Sequence, residues 1–193
     1  MGAQDGVDML IRAMAHLVHD LKRDDIQCAI VGSGTEVPNL KRLTSALGLD
    51  DYVTFTGFVP SGEPHLSALS AFDIGVIPDP KNVFNDKISM NKVFEYMTLG
   101  IPFVQFDLIE GRRAAGDASL YAAECSPDAL AREMVRLADD ETLRAGLIAK
   151  GQERRHSVLR WEPEKARLLA AYETALASCS GKPVAKSVVT AAD

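Results

Sequence analysis

Apolar and polar positions follow two different periods along the chain. Apolar residues recur every three to four positions over 7–21 and 37–47, then at 65–69 and 93–99, again from 127 onward, and finally over 163–177, which predicts amphipathic helices. Short continuous apolar runs lie between the earlier helices and predict buried strands at 26–34, 52–56, 73–77 and 103–106. Strands that alternate with helices in this way predict an α/β fold, a Rossmann-like parallel sheet with helices on both faces.

Residues 85–107 combine a loop, a helix, a tight turn and a strand. An apolar stripe at 93–99 predicts a helix, and Gly100 is the residue type that closes one. The run at 103–106 predicts a buried strand that ends at Asp107. This order predicts one complete α/β unit around which the rest of the chain is organised.

The start of this helix carries candidate ligand-binding groups. Ser89 as the N-cap would leave the amides of Met90, Asn91 and Lys92 pointing out of the positive helix end, beside the Lys92 ammonium, and such an end suits a phosphate. Glu95 lies three residues beyond Lys92, so both side chains can face one crevice, where the carboxylate would accept hydrogen bonds from a ribose diol. The alternative is a solvated Lys92–Glu95 surface pair.

Two loops at predicted strand ends are further candidates. Gly32 and Gly34 follow the first strand, although a lone GxG indicates little more than a tight turn into a helix. Phe58 and Val59 follow the second strand, and ligands of open α/β sheets bind outside strand carboxyl ends. This loop is therefore a candidate nucleotide-base site, with a plain turn as the alternative.

Composition limits the classes of function. The 193 residues, 47% hydrophobic and 25% charged, predict one globular domain at 1–177 and a disordered tail at 178–193. A net charge of −6 argues against a nucleic-acid partner. Scattered histidines and three cysteines without a Cys-x-x-Cys pair give no metal or cofactor site. Without a membrane-spanning run or a signal pattern, we expect a cytoplasmic protein that can work at the inner membrane surface.

Several motifs together resemble one enzyme family. FEYMTLGIPFV resembles a signature of nucleotide-sugar glycosyltransferases with the GT-B architecture, in the C-terminal domain of the retaining family called glycosyl transferases group 1. GVDMLIRAMAHL resembles the first helix of that domain, and IQCAIVGSGTEVPNLKRLTSALGLDDYVTFTGFVP resembles the stretch from its second strand to its nucleotide-base loop. LSAFDIGVIPDP resembles its next strand. The resemblance covers roughly residues 6–177, and the order of the motifs is its most specific feature.

The resemblance implies transfer of a sugar, as by a hexosyltransferase, from a nucleotide-diphosphate donor to an acceptor hydroxyl with retention, in polysaccharide or glycoconjugate synthesis. The helix start and Lys92 would stabilise the leaving diphosphate electrostatically without a metal. Glu95 matches the second of two signature glutamates and is implied to bind the ribose. The first falls on Lys87, which cannot accept a hydrogen bond from the sugar. Either Asp86 replaces that glutamate, or Lys87 pairs with the diphosphate.

The chain also departs from the resembled domain. That domain begins with a strand and a loop that brings an Arg and a Lys to the diphosphate, whereas here the strand is missing and the loop reads GAQDG. The expected partners are a nucleotide-sugar donor, an N-terminal GT-B half in the same or a separate chain, and a carbohydrate or lipid-linked acceptor. Three interpretations remain: part of one glycosyltransferase, one chain of a two-chain enzyme, or a non-catalytic nucleotide-binding or protein-interaction module.

Overall fold

The computed structural model describes residues 1–179, which fall into two compact units. The first unit is Met1–Arg155, and the second begins at His156. Residues 178 and 179 belong to the last helix, so the predicted tail is wrong for these two positions. The remainder of the predicted tail, from residue 180 onward, lies outside the described residues.

Most of the predicted elements are confirmed, with shifted bounds. The strands are β1 (Cys28–Val31), β2 (Val53–Gly57), β3 (Gly75–Ile77), β4 (Phe103–Phe106) and β5 (Leu120–Ala122). The helices are α1 (Val7–Ala15), α2 (Val37–Ala46), α3 (Glu63–Ser70), α4 (Asn91–Leu99), α5 (Ile109–Ala115), α6 (Pro127–Asp139), α7 (Glu141–Ser157) and α8 (Trp161–Cys179). Over residues 1–179, none of these helices is long and apolar enough to span a bilayer.

The strands form two parallel ladders. Strands β1 and β2 make the first, in which Cys28 lies opposite Val53. Strands β3, β4 and β5 make the second, in which Val104 is paired with Val76 on one side and Leu120 on the other. Among the described residues no strand joins β1 to β3, and the sheet is therefore divided at that point.

Helices cover both faces of these ladders, which confirms the predicted α/β architecture. Helix α1 packs against α2 and α6, and α6 also covers β4 and β5. Helix α4 contacts β3 and lies between α3 and α5. A cluster of buried side chains joins α1, α6 and β4 and includes Ile11, Met14, Leu130, Leu137 and Phe106.

Burial differs between the two ladders. Strand β4 is buried at all four positions, as its continuous apolar run predicts. In β1 only Ile30 is buried, whereas Ala29 is exposed. The prediction of a buried strand is therefore wrong for Ala29, because a groove opens beside β1 at this residue.

Candidate functional site

A pocket of about 550 Å³ opens at the carboxyl ends of β1 and β2. Four of the predicted site residues line it, and they come from three separate stretches of the chain: Gly32, Phe58, Val59 and Glu95. The end of an α/β strand pair is the expected position for a ligand site. The structure thus joins the GxG turn, the candidate base loop and the helix glutamate in one cavity.

The loops that form this pocket are tied to one another. The Gly32 amide donates a hydrogen bond to the Gly57 carbonyl at 2.9 Å, which fixes the exits of β1 and β2 side by side. Phe58 follows directly and leaves 73% of its surface exposed. An exposed aromatic ring at the mouth of a pocket can stack on a planar base, since every nucleobase presents a π-face.

Glu95 does not pair with Lys92, so the alternative of a Lys92–Glu95 surface pair is wrong. Its Oε1 lies 3.6 Å from Nε2 of His65, a residue of α3 that also lines the pocket. Sequence reasoning missed His65, because an isolated histidine on a short helix carries no spacing signal. With about one third of each side chain exposed, 35% for Glu95 and 30% for His65, both groups remain accessible to a ligand.

Lys92 is bound to a different carboxylate. Its Nζ lies 2.6 Å from Oδ2 of Asp79, which follows β3 and has a side chain only 6% exposed. Burial raises the pKa of Asp79 above its usual range, and the Lys92 ammonium acts against that rise. The pair fastens the start of α4 to the loop after β3, with 36% of the lysine side chain still exposed.

The predicted N-cap at Ser89 is wrong. Helix α4 begins at Asn91 with Met90 as its N-cap, in an extended conformation and without a side-chain capping bond. A short 3-10 turn at Asn85–Lys87 precedes the helix, which begins one residue later than predicted. The Val93 amide donates to the Met90 carbonyl at 3.1 Å, and the amides of Asn91 and Lys92 come before it at the helix start.

The remaining predicted residues lie outside the described pocket lining. Lys87, Ser89 and Asn91 are exposed, while Met90 is buried and only 6% exposed. Gly34 lies against the backbone of Met1, and a Cβ at that position would come within 2.0 Å of the Met1 nitrogen. These residues lie at the carboxyl side of the sheet without sharing the cavity of Glu95.

A network beside α4 joins the loop after β3 to the loop before α1. Asn85, buried and missed by the sequence analysis, donates to the Pro80 carbonyl at 2.8 Å and the Gln4 carbonyl at 3.1 Å. Gly6 lies at a φ of +61°, and a Cβ there would be 2.0 Å from the Pro78 carbonyl oxygen. The loop before α1 is therefore pressed against the loop after β3, and this contact requires glycine.

Asp86, the candidate replacement for the first signature glutamate, is held by contacts within the protein. Its Oδ1 accepts a hydrogen bond from the Ile109 amide at 3.1 Å and lies 3.4 Å from the Lys81 Nζ, so it supports the start of α5. Next to it, Arg112 forms an ion pair with Asp107 at 2.6 Å. The carboxylate of Asp86 is thus already engaged within the protein, whereas Lys87 is exposed.

No cluster of three or more metal-ligating side chains occurs in residues 1–179. The pocket instead offers an aromatic ring, a carboxylate and an imidazole, and the nearby helix start offers backbone amides and an ammonium group. This donor set fits a nucleoside and an anionic group.

Comparison with known proteins defines the class. Residues 1–140 match the family described as "Glycosyl transferases group 1", and the chain belongs to this family. Its fold is that of the GT-B glycosyltransferases. TarM of S. aureus, in a complex with Fondaparinux, alpha-GlcNAc-glycerol and UDP, superimposes with a TM-score of 0.75 at 18% identity over 88% of this chain and 33% of TarM. Anabaena HepE, in complex with UDP and glucose, gives 0.71 at 20% identity over 89% of this chain and 46% of HepE.

Particular relatives are more similar in sequence. Alpha-D-kanosaminyltransferase of Streptomyces kanamyceticus is 31% identical over 75% of this chain, and the lipopolysaccharide core biosynthesis glycosyltransferase LpsD of Rhizobium meliloti (strain 1021) is 33% identical over 64%. The aligned part is 36% of the first relative and 34% of the second. The chain thus spans about a third of the length of these relatives.

Proposed function

We propose that this chain is the donor-binding, C-terminal half of a GT-B glycosyltransferase. It binds a nucleoside diphosphate sugar and takes part in transfer of a hexosyl group to an acceptor hydroxyl with retention. The observation that carries this proposal is the convergence of Gly32, Phe58, Val59 and Glu95 on one pocket at the strand carboxyl ends. A hydrophobic ring beside a carboxylate matches the two parts of a nucleoside, the base and the ribose diol.

Within this proposal Phe58 stacks on the base, and the Glu95 carboxylate accepts hydrogen bonds from the ribose hydroxyls. A carboxylate accepts two such bonds with its two oxygens, which makes it suited to a vicinal diol. The exposed Phe58 ring and the Glu95 side chain, of which about one third is exposed, both line the same cavity. The base is held by stacking and the ribose by charge-assisted hydrogen bonds.

The diphosphate would lie at the start of α4. Backbone amides at a helix N-terminus and a neighbouring ammonium stabilise negative charge. When the glycosidic bond breaks, the leaving diphosphate gains charge, so these groups and Lys92 lower the barrier without a metal ion. Lys87, exposed on the turn before the helix, supplies a second cation for the same group.

The comparisons support the donor and its position in the enzyme. HepE and TarM have related folds, and crystal structures of both contain UDP. This chain covers 82% of a solved structure that contains the C-terminal domain of the Francisella tularensis group 1 protein LpcC, with a TM-score of 0.65. We therefore assign the acceptor site to an N-terminal half, carried by the same chain or by a separate one.

The names of the relatives support a proposal for the acceptor class. LpsD acts in lipopolysaccharide core biosynthesis, and a phosphatidyl-myo-inositol mannosyltransferase of Mycolicibacterium smegmatis is 28% identical over 88% of this chain. We propose a carbohydrate or lipid-linked acceptor, a role in polysaccharide or glycoconjugate synthesis, and a place of work in the cytoplasm at the inner membrane surface.

Calorimetry without added metal tests donor binding. We expect one of UDP, GDP and ADP to bind in the micromolar range, and Glu95→Gln to weaken that binding by about 1 to 3 kcal/mol, or roughly 5-fold to 150-fold. The matched control is Glu133→Gln, the same change on α6, whose carboxylate pairs with Arg136 at 2.6 Å and does not line the described pocket. We expect this control to bind like the unaltered chain.

A deoxyribose nucleotide sharpens the test. The unaltered chain should prefer the ribonucleotide over its 2′-deoxy form, and Glu95→Gln should lose most of that preference, because the coupling belongs to the Glu95–ribose contact. Equal affinities of both chains for both nucleotides would refute the assigned role of Glu95. Binding without sugar transfer, even when a matching N-terminal half is added, would favour the non-catalytic binding module.

A further inference from the structure

Two ionisable side chains face each other in the pocket at the ends of β1 and β2. Oε1 of Glu95 and Nε2 of His65 lie 3.6 Å apart, which is an ion-pair distance when the imidazole is protonated. The two residues belong to different helices, α4 and α3, which pack together. Among the described residues that line this pocket, no other side chain is titratable.

Helix α3 presents His65 on the face that is turned inward. Three of its residues, at helical spacing, are at least partly buried, namely His65, Ala68 and Leu69, while the other residues of the helix are exposed. Such a face is ordinarily apolar, so a half-buried imidazole there is stabilised by a polar partner. The partner is the Glu95 carboxylate on α4.

The backbone of Glu95 is fixed more firmly than its carboxylate. Tyr96 and Met97, which follow it, are buried, and the Tyr96 ring lies 5.7 Å from the ring of Phe103 on β4. A glutamate side chain has three rotatable bonds, so a fixed backbone does not by itself orient the carboxylate. Within residues 1–179 the carboxylate has one ionic partner, His65. This contact therefore orients the two carboxylate oxygens.

The chemistry of a ribose diol fits a carboxylate held in this way. An ionised carboxylate has about four lone-pair sites, so Oε1 of Glu95 can accept from the imidazole and from one hydroxyl while Oε2 accepts from the other. A neutral imidazole carries a donor at Nε2 in only one of its two tautomers, whereas the protonated ring donates from both nitrogens. Protonation of His65 therefore makes the orienting contact present in every molecule and charge-assisted.

The charged groups around His65 are acidic or already paired. From α4, Glu95 faces it, and Lys92, one turn earlier, pairs with Asp79 at 2.6 Å. On α3 itself the acidic residue is Glu63, which is exposed. The described lining residues from the exits of β1 and β2 are apolar residues and glycine. Protonation of His65 thus adds a positive charge to a pocket whose other lining charge is the Glu95 carboxylate.

We propose that His65 is a positioning residue for nucleoside binding. Its Nε2–H holds Oε1 of Glu95, so that the carboxylate is turned towards the ribose hydroxyls, and the pocket binds more tightly when the imidazole takes up a proton. Histidine changes charge between about pH 5 and pH 8, so donor affinity becomes dependent on pH in that range. This inference rests on the proposed donor-binding function and adds the residue that regulates it.

Three variants of the whole chain test the role of His65. His65→Ala removes the donor, and His65→Gln keeps an N–H donor that does not change charge between pH 6 and pH 8. His16→Gln is the matched control, because His16 pairs with Asp20 at 2.7 Å and does not line the described pocket. The probes are UDP-glucose, GDP-mannose and ADP-glucose, whose diphosphates are esterified at both ends and keep their charge over this range.

Calorimetry at pH 6 and pH 8 gives the expected pattern. The unaltered chain and His16→Gln should bind one of the probes roughly threefold to tenfold more tightly at pH 6 than at pH 8. His65→Gln should bind equally at both pH values, with about the affinity of the unaltered chain at pH 8, and His65→Ala should bind more weakly than His65→Gln. In the Glu95→Gln background His65→Ala should have no further effect, because the imidazole acts through the carboxylate.

Different results would overturn the inference. A pH dependence that persists in His65→Gln would assign it to another group. An equal effect of His65→Ala with and without Glu95 would show that the imidazole acts on the ligand directly. Loss of affinity together with a lower melting temperature in His65→Ala, without recovery of affinity in His65→Gln, would assign His65 to the packing of α3 on α4. These results leave donor binding intact, whereas an unaltered chain that binds none of the probes would refute the proposed function together with this inference.

Discussion

Replacement of Lys92 by Met separates two roles that one side chain performs. The Lys92 ammonium neutralises Asp79 at 2.6 Å, and the carboxylate is only 6% exposed while the lysine is 36% exposed. Exposed ion pairs contribute about 0 to 1 kcal/mol, and removing one partner of a fully buried pair costs about 3 to 5 kcal/mol. Since this pair lies between the two limits, we expect Lys92→Met to lower the free energy of unfolding by about 2 to 3 kcal/mol.

A second substitution isolates the cause. Asp79→Asn in the Lys92→Met background removes the uncompensated charge and should recover most of the lost stability. The affinity for a nucleoside diphosphate should be lower in both variants than in the unaltered chain, because neither has the ammonium at the start of α4. Thermal unfolding by circular dichroism measures the first effect, expected as a shift of roughly 4 to 12 °C, and calorimetry measures the second.

The pH dependence gives an independent check. Burial raises the pKa of Asp79, so folded Asp79 holds its proton more tightly than the unfolded chain does. The stability from this group is therefore fully present below the unfolded pKa and is lost as the pH rises through the folded pKa. Without Lys92 that folded pKa rises further, so the deficit of Lys92→Met should be larger at about pH 8 than at about pH 5. A deficit that is independent of pH, or a double variant that binds as tightly as the unaltered chain, would refute the reasoning.

Two further predictions address the fold and the pocket. Gly75→Ala would place a Cβ 2.6 Å from the ring of Tyr96 and should destabilise the protein by about 1 to 3 kcal/mol in thermal unfolding, whereas Gly146→Ala, with no atom within 4 Å, should not destabilise it. Phe58→Ala should weaken nucleotide binding in calorimetry by about 1 to 3 kcal/mol, while Phe84→Ala, an exposed ring outside the described pocket lining, should leave it unchanged; equal effects would argue against stacking by Phe58.

The parts of the fold that follow from local sequence were predictable. The run at 103–106 predicted β4 with its observed bounds, because a continuous apolar stretch closed by Asp107 fits a strand buried on both faces. Gly100 closes α4 at a φ of +70°, as a helix-ending glycine should. By contrast, β5 is three residues long and follows the short helix α5, so neither element left a detectable period.

The candidate site was predictable in its members more than in its contacts. Phe58 and Glu95 were identified from strand ends and helix spacing, and the structure brings them into one pocket. The partner of Lys92 was not, because Asp79 lies thirteen residues earlier and meets it only through the packing of α4 on β3. His65 and the cap of α4 likewise depend on how loops enter helices, which spacing alone does not specify.

The pocket that contains Glu95 draws its walls from both ladders. Val31 and Gly32 end a strand of the first ladder, and Glu95 lies on the helix that links two strands of the second. Any ligand held between these groups acts as a clamp on the relative position of the ladders. If only a fraction of molecules holds them in register, the apparent dissociation constant is the intrinsic one divided by that fraction. Any contact that holds the two ladders in register would then tighten binding in the pocket without touching the ligand.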